Sequence, residues 1–153
     1  ERVIEALEGI KCHLRIIGKL TSEQEKLLFE KKINYSIGIN LTDEEMLNEY
    51  ELCEIVSFPS LYEGFGMPVI EAQAVGRVVL GSNIEPLIEI SNGAMCSVDP
   101  YDVESIRRGF IELISSQNYR SDLIKKGLEN VEKFKPEIIA NQYYKIYKSI
   151  ALS

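Results

Sequence analysis

Short apolar runs alternate along the chain with longer segments in which apolar residues recur at helical spacing. Several runs are rich in β-branched residues, and two are closed by Gly18 and Pro59, which is typical of buried strands. The predicted strands cover residues 12–17, 35–39, 55–58, 78–80 and 94–98. The predicted helices cover residues 21–32, 42–52, 68–75, 86–90, 102–115, 119–134 and 136–150. This order of elements predicts an α/β domain.

Capping residues mark several of the helix starts. Thr21 with Gln24, and Thr42 with Glu45, have the spacing of a capping box, in which two side chains satisfy backbone N–H groups at the helix start. Pro68 suits the first turn of a helix. These signals indicate where three of the predicted helices begin.

The alternation of strands and helices also predicts how the strands are arranged. Strands separated by helices imply a mostly parallel sheet with right-handed crossovers and helices on both faces, which is a doubly wound α/β fold. In such sheets ligands bind at the carboxyl ends of the strands, where loops lead into helices. Three loops of this chain fall there, at residues 18–19, 39–42 and 60–68.

Composition narrows the possible functions. The chain has 153 residues, the usual size of one domain. Its net charge of −7 argues against a nucleic-acid surface, because phosphate contacts need clustered Lys and Arg. No apolar run reaches the roughly 18 residues of a membrane span. Cys12, Cys53 and Cys96 are odd in number and widely spaced, which favours reduced, mostly buried thiols in a cytoplasmic protein over a disulfide framework.

Both ends of the chain bear on domain organisation. The first residues, ERVIEALEGIK, are typical of a helix entered partway, with no cap in front of it. We therefore expect residues 1–153 to be one domain cut from a longer protein. Near the other end, an apolar side at helical spacing is formed by Ile139, Tyr143, Tyr144, Ile146 and Tyr147. We favour core packing for this side, and packing on a second domain is the alternative.

The loop between the third strand and its helix carries the strongest chemical signal. Gly64 and Gly66 flank Phe65 immediately before the helix, and glycine lets a ligand approach the main chain closely. The free N–H groups and the dipole of a helix N-terminus attract phosphate oxygens. The backbone from Gly64 to Met67 could therefore offer donors to a diphosphate. A tight turn without a ligand is the structural alternative.

Two carboxylates bracket these donors. Glu63 precedes them on the loop, where it could reach sugar hydroxyls or a charge that develops at an anomeric carbon. Glu71 lies about one turn into the helix and could accept hydrogen bonds from ribose hydroxyls. Compensation of the helix dipole is the structural alternative for a glutamate at such a position.

The block FPSLYEGFGMPVIEAQAVG, residues 58–76, resembles the signature of family 4 glycosyltransferases, which are retaining, metal-independent enzymes of the GT-B fold. Residues 16–18, 43–54, 82–83, 89 and 98–102 are similar to other elements of the family. The resemblance covers most of the chain and implies the C-terminal of two Rossmann-like domains, the one that binds a UDP-, GDP- or ADP-sugar. It implies no cofactor and no metal ion.

The resemblance also implies roles for individual residues. Glu63 would contact the donor sugar as the catalytic carboxylate, and Glu71 would hold the ribose. The backbone of residues 64–67, that is Gly64, Phe65, Gly66 and Met67, would contact the diphosphate or the sugar. Leu41 would pack near the base.

Several family features differ or are absent in this chain. Ile39 stands where a glycine is common, which leaves the base open, and Arg77-Val78 replaces a common Thr-Pro, where we expect little effect. The basic residues that neutralise the diphosphate, and the acceptor domain, would precede residue 1. We therefore expect this chain alone to bind donor weakly and to transfer nothing.

Two other classes of function remain open from the sequence. A related GT-B enzyme, such as a sugar-nucleotide epimerase or a phosphorylase, is one alternative. A non-catalytic nucleotide-binding or interaction module is the other. For the transferase we expect a cytoplasmic protein, at most peripheral on the inner face of the membrane, with a glycan or lipid-linked acceptor.

Overall fold

The computed structural model describes residues 1–151, so the last two residues of the predicted 1–153 domain lie outside the described part. The strands are β1 (His13–Ile17), β2 (Asn34–Gly38), β3 (Ile55–Phe58), β4 (Val78–Ser82) and β5 (Cys96–Val98). The helices are α1 (Arg2–Ala6), α2 (Ser22–Glu30), α3 (Asp43–Leu52), α4 (Met67–Ala74), α5 (Leu87–Ser91), α6 (Val103–Ser115), α7 (Gln117–Val131) and α8 (Pro136–Ala151). A 3₁₀ turn (Glu132–Phe134) separates α7 from α8. The predicted α/β class is confirmed.

All strand pairs are parallel, as the sequence pattern predicts. β1 pairs with β2 from His13 opposite Asn34 to Ile17 opposite Gly38. β4 lies between β3 and β5 and pairs with both. Hydrogen bonding therefore divides the described strands into a two-stranded and a three-stranded ladder. The two ladders share one side of the core, because side chains of both β1 and β3 pack against the same apolar cluster.

Helices cover both faces of the sheet, and β4 shows this most clearly because all five of its residues are buried. Val78 and Leu80 face a cluster built with α1, α6 and α7, whereas Val79 faces a cluster built with α3, α4 and α5. The alternation along β4 thus separates the two halves of the core, as the pleat of a doubly wound sheet requires.

The capping residues define the helix starts as predicted. At α2, Thr21 and Gln24 exchange hydrogen bonds of 3.2 and 3.0 Å between side chain and backbone. At α3, the Glu45 carboxylate accepts from the Thr42 N–H at 2.7 Å, and the Thr42 hydroxyl accepts from the Glu45 N–H at 3.2 Å. Both predicted capping boxes are confirmed.

A buried polar network fixes α4 in place. The Gln73 side chain, only 1% exposed, donates to the carbonyl groups of Ser91 and Ala94. The Asn130 amide on α7 donates to Gln73 Oε1 at 3.0 Å and to the Ile90 carbonyl at 2.7 Å. Because buried polar groups are costly when unpaired, this network specifies how α4 packs against α5 and α7.

The predicted 119–134 helix is found as α7, from Gln117 to Val131, continued by the 3₁₀ turn from Glu132 to Phe134. The helical segment ends there because Lys135 precedes Pro136, and the residue before a proline disfavours the α conformation. The predicted core packing of the last helix is wrong. No described residue of α8 is buried, and Tyr143 and Tyr147 stack on each other at the surface with ring centroids 6.2 Å apart. No other layer of the described chain covers this helix.

None of the helices in residues 1–151 is both long enough and apolar enough to cross a lipid bilayer. Cys12, Cys53 and Cys96 are free thiols, of which only Cys96 is fully buried.

Candidate functional site

The glycine loop (residues 59–66) leaves the carboxyl end of β3 and enters α4. It is tied to the sheet by Ser82 at the end of β4, whose buried hydroxyl donates to the Ser60 carbonyl at 2.5 Å. The Ser60 N–H also donates to the Phe58 carbonyl at 3.0 Å, which turns the chain sharply after the strand. The base of the loop is therefore held by the strands themselves.

Glu63 is fixed within this loop. Its Oε1 accepts a hydrogen bond of 2.6 Å from the Ser60 hydroxyl, and the residue is half-buried. Ser82 holds Ser60, and Ser60 in turn holds the Glu63 carboxylate. One carboxylate oxygen is thereby oriented by the sheet, which is the kind of support that holds a functional side chain in one geometry.

The two glycines of the loop serve different physical purposes. Gly66 has φ +95°, in the left-handed region, and a Cβ on it would lie 2.3 Å from Leu87 Cδ2 on α5. Gly66 is therefore required by the fold at this close approach. A Cβ on Gly64 would meet nothing within 4 Å. The open side of the loop is thus at Gly64, where a ligand could reach the backbone.

The N-terminus of α4 presents backbone donors. Gly66 is the N-cap residue and has no side chain that could accept from the first N–H groups of the helix. Pro68, in the first turn, has no backbone N–H group. No hydrogen bond found within residues 1–151 uses the N–H groups of Phe65, Gly66 or Met67. Backbone donors at a helix start, together with the helix dipole, attract anions in general.

Aromatic packing supports the exposed side of the loop. The Phe65 ring meets the Phe134 ring edge to face, with centroids 6.2 Å apart. Beside this pair lies an open cleft of about 240 Å³, which is bounded by the loop, α5 and the 3₁₀ turn. Phe65 remains 44% exposed and Met67 51% exposed, so both side chains are available for contact.

Glu71 lies on α4 next to Tyr50 of α3. Tyr50 is nine-tenths buried, and its hydroxyl donates to Glu71 Oε2 at 2.7 Å, whereas Glu71 itself is exposed. Burial, and then the hydrogen bond to the Glu71 carboxylate, raise the pKa of the Tyr50 phenol. The phenol therefore stays neutral and remains a donor to Glu71.

Leu41 lies in the other ladder, in the loop that follows β2. Three side chains lie close to the position that a Cβ on Gly38 would occupy: Arg15 Nη2 at 3.0 Å, Leu41 Cδ1 at 3.1 Å and Ile17 Cδ1 at 3.2 Å. The end of β2 is therefore covered by two apolar side chains and one guanidinium group. The structure thus groups Glu63, the loop backbone and Glu71 around the start of α4, while Leu41 marks a separate strand end.

Sequence reasoning missed the residues that support this arrangement. These are Tyr50, which holds Glu71, and Ser60 and Ser82, which together hold Glu63. Each lies in a segment whose interpretation depended on other residues. Arg77 was expected to have little effect, yet it donates to the carbonyl groups of Tyr50 and Glu51 at the end of α3. The one sequence signal that could have pointed to these supporting residues is a polar residue that follows a buried strand, as Ser82 follows the predicted strand 78–80.

The fold and the loop together define a class: a parallel α/β domain in which a glycine loop at the carboxyl edge of the sheet leads into a helix. Residues 1–130 match the family described as "Glycosyl transferases group 1", and the chain belongs to this family. The resemblance seen in the sequence is thereby confirmed.

Individual relatives agree with this assignment. The chain is 37% identical over 127 residues to the serotype-specific mannosyltransferase WbdA of Escherichia coli, a match that covers 83% of this chain and 15% of that protein. Its fold is similar to that of sucrose-phosphate synthase from Thermosynechococcus elongatus, with TM-score 0.86 at 23% identity over 99% of this chain and 42% of that one. It is also similar to the C-terminal domain of a group 1 glycosyl transferase (LpcC) from Francisella tularensis, with TM-score 0.70 at 23% identity over 86% of this chain and 74% of that one.

Apart from the isolated LpcC domain, these relatives are much longer than the chain, which spans less than half of their length. The fold and the family are therefore those of a C-terminal GT-B domain of a group 1 glycosyltransferase.

Proposed function

We propose that this chain is the donor-binding domain of a retaining glycosyltransferase that moves a hexosyl group from a nucleoside diphosphate sugar to a glycan or lipid-linked acceptor. The observation that carries the proposal is the start of α4. Backbone N–H groups that have no acceptor within residues 1–151 lie there, in sequence between Glu63, which Ser60 orients, and Glu71. An anion site flanked by two carboxylates suits a diphosphate that joins a sugar to a ribose.

The diphosphate is assigned to the backbone of residues 64–67. Main-chain N–H groups at a helix start bind phosphate oxygens without a metal ion, and they are already in place when negative charge develops on the leaving group. Electrostatic stabilisation of the departing diphosphate, and orientation of the sugar, would supply most of the rate. On this proposal the reaction needs no metal ion.

Glu63 is assigned to the donor sugar. Its carboxylate is held on one oxygen by Ser60, so the other oxygen is available for sugar hydroxyls or for positive charge at the anomeric carbon. Such a carboxylate stabilises an oxocarbenium-like transition state. Glu71 is assigned to the ribose, and Leu41 to the neighbourhood of the base.

Mannose is the sugar that we favour, because the Escherichia coli relative is a mannosyltransferase. The base remains one of uracil, guanine or adenine. A second Rossmann-like domain would carry the acceptor site and the cations that complete the diphosphate pocket. The exposed apolar side of α8 would pack against that domain, where its tyrosine and isoleucine side chains would be covered.

The test is donor binding and sugar transfer by the full-length protein with UDP-, GDP- and ADP-mannose. Glu63→Gln should leave donor affinity within about threefold and lower the transfer rate by about 100-fold or more, the scale on which an electrostatic group in the transition state acts. Glu129→Gln, an exposed position on α7, is the matched control and should leave both unchanged.

Three results would contradict the proposal. Transfer that survives Glu63→Gln would remove the catalytic role of this carboxylate. Release of epimerised sugar nucleotide, or phosphorolysis, would favour a related GT-B enzyme. Donor binding without any turnover on glycan or lipid-linked acceptors would favour a non-catalytic module.

A further inference from the structure

One hydrogen bond joins the helix that carries Glu71 to the helix before it. The Tyr50 hydroxyl on α3 donates to Glu71 Oε2 on α4 at 2.7 Å. Tyr50 belongs to the apolar cluster formed with Val69 and Ile70, and it is only 8% exposed. The ring is therefore held by packing, and its one polar atom donates to the carboxylate of an exposed residue.

Helix geometry explains why this tyrosine reaches the site. α3 starts at the carboxyl edge of the sheet and runs back towards its amino edge, so Tyr50, in the last turn, starts far from the ligand edge. Long side chains in a helix lean towards the N-terminus of that helix. The Tyr50 ring therefore leans back towards the carboxyl edge, where its hydroxyl meets Glu71.

Arg77 fixes the backbone that carries this tyrosine. Its Nε donates to the Tyr50 carbonyl at 3.2 Å, and its Nη2 donates to the Glu51 carbonyl. These are C-terminal carbonyl groups of α3, which have no partner within the helix and attract a cation. Arg77 immediately precedes β4, so the central strand of the three-stranded ladder anchors the end of α3.

The neutral phenol suits the task of orienting a carboxylate. A donor that carries no charge takes one lone pair of Glu71 Oε2 without forming an ion pair, so the carboxylate keeps its negative charge and Oε1 keeps both lone pairs. Because the pKa of the buried Tyr50 phenol is raised, first by burial and then by Glu71, this hydrogen bond persists over the whole neutral pH range.

We propose that Tyr50 is a positioning residue that orients the Glu71 carboxylate for the ribose hydroxyls of the donor, and that Arg77 anchors it. This inference rests on the proposed function, because it needs Glu71 to contact ribose. Tyr50 does not itself touch the ligand. Its effect should therefore appear as a loss of ribose recognition and not as a uniform loss of binding.

The test compares ribose with dideoxyribose. The full-length protein is titrated with UDP, GDP and ADP, and the diphosphate that binds best is compared with its 2′,3′-dideoxy analogue. In the wild type the ribose form should bind more tightly. Tyr50→Phe keeps the buried ring and removes only the hydroxyl, and it should reduce this preference by about threefold to tenfold, the scale of one ordinary hydrogen bond.

A double-mutant cycle separates positioning from packing. Glu71→Ala should abolish the ribose preference, and adding Tyr50→Phe to it should change the preference no further, because the tyrosine acts through the carboxylate. Tyr119→Phe is the matched control. It removes the hydroxyl of a half-buried tyrosine on α7, outside the site, and should leave the ribose preference unchanged.

The possible failures are distinguishable. If Glu71→Ala keeps the ribose preference, the ribose part of the proposed function is wrong and the inference falls with it. If Glu71→Ala abolishes the preference and Tyr50→Phe leaves it intact, the proposed function stands and the positioning role of Tyr50 is wrong. A further loss of preference from Tyr50→Phe in the Glu71→Ala background would also overturn the inference, because the effect would not pass through Glu71.

Discussion

Gly66 shows, at the scale of one residue, how the fold and the site depend on the same atoms. Its left-handed backbone starts α4, and its missing side chain admits Leu87 and Ile90 of α5. The helix start that presents the loop N–H groups is therefore held in place by the packing of α5. The sequence left two reasons open for these glycines, a ligand or a tight turn, and the structure shows that Gly66 is needed for packing.

Substitution of Gly66 tests this division of roles. Gly66→Ala should lower the free energy of unfolding by about 2–4 kcal/mol, because it combines the cost of a left-handed non-glycine residue with overpacking against Leu87. Gly93→Ala is the matched control, since Gly93 has φ +75° and a Cβ there would meet nothing within 4 Å. The control should lose only about 1 kcal/mol. Equal losses by urea denaturation would contradict the packing role.

At the scale of the element, local signals were predictable and long-range ones were not. The starts of α2 and α3 follow from residues three positions apart, so the sequence was sufficient for both. The contact between Tyr50 and Glu71 joins residues 21 positions apart, on two helices whose relative position depends on the whole core. For the same reason the surface position of α8 could not be read from its apolar spacing, which is also typical of a buried helix.

The capping box of α3 makes a prediction about pH. Glu45 accepts hydrogen bonds from the Thr42 N–H and hydroxyl, and these lower the pKa of its carboxyl below the usual value. A lowered folded-state pKa stabilises the protein above the unfolded-state pKa, and this contribution is lost as the pH falls through the folded-state value. The thermal midpoint of the wild type should therefore fall at low pH, partly because protonation of Glu45 weakens the capping box of α3.

Glu45→Gln isolates that contribution. Glutamine also completes a capping box but does not titrate, so the variant should lose less thermal stability than the wild type over the acid range. Glu44→Gln is the control, because Glu44 is an exposed neighbour with no capping bond, and it should follow the wild type. A Glu45→Gln profile parallel to that of the wild type would show that the capping carboxylate does not contribute.

At the scale of the whole molecule, the order of elements and the parallel pairing were predictable because each strand and helix has its own pattern. The division of the strands into two ladders was not, since it depends on hydrogen-bond geometry between strands far apart in sequence. The position of the site followed from the rule that ligands bind at the carboxyl edge of a parallel sheet. Its supporting residues, Ser60, Ser82 and Tyr50, required the structure.

The central claim is that the start of α4 binds the diphosphate of a nucleotide sugar. The most direct measurement is the change in backbone amide chemical shifts when UDP, GDP and ADP are added to the labelled full-length protein. The account predicts that the largest changes fall on residues 64–67 and on Glu71, with weaker changes near Leu41. Changes confined to the charged cleft that Glu5, Lys31 and Arg107 line on another part of the surface, or no change with any of the three nucleotides, would contradict it.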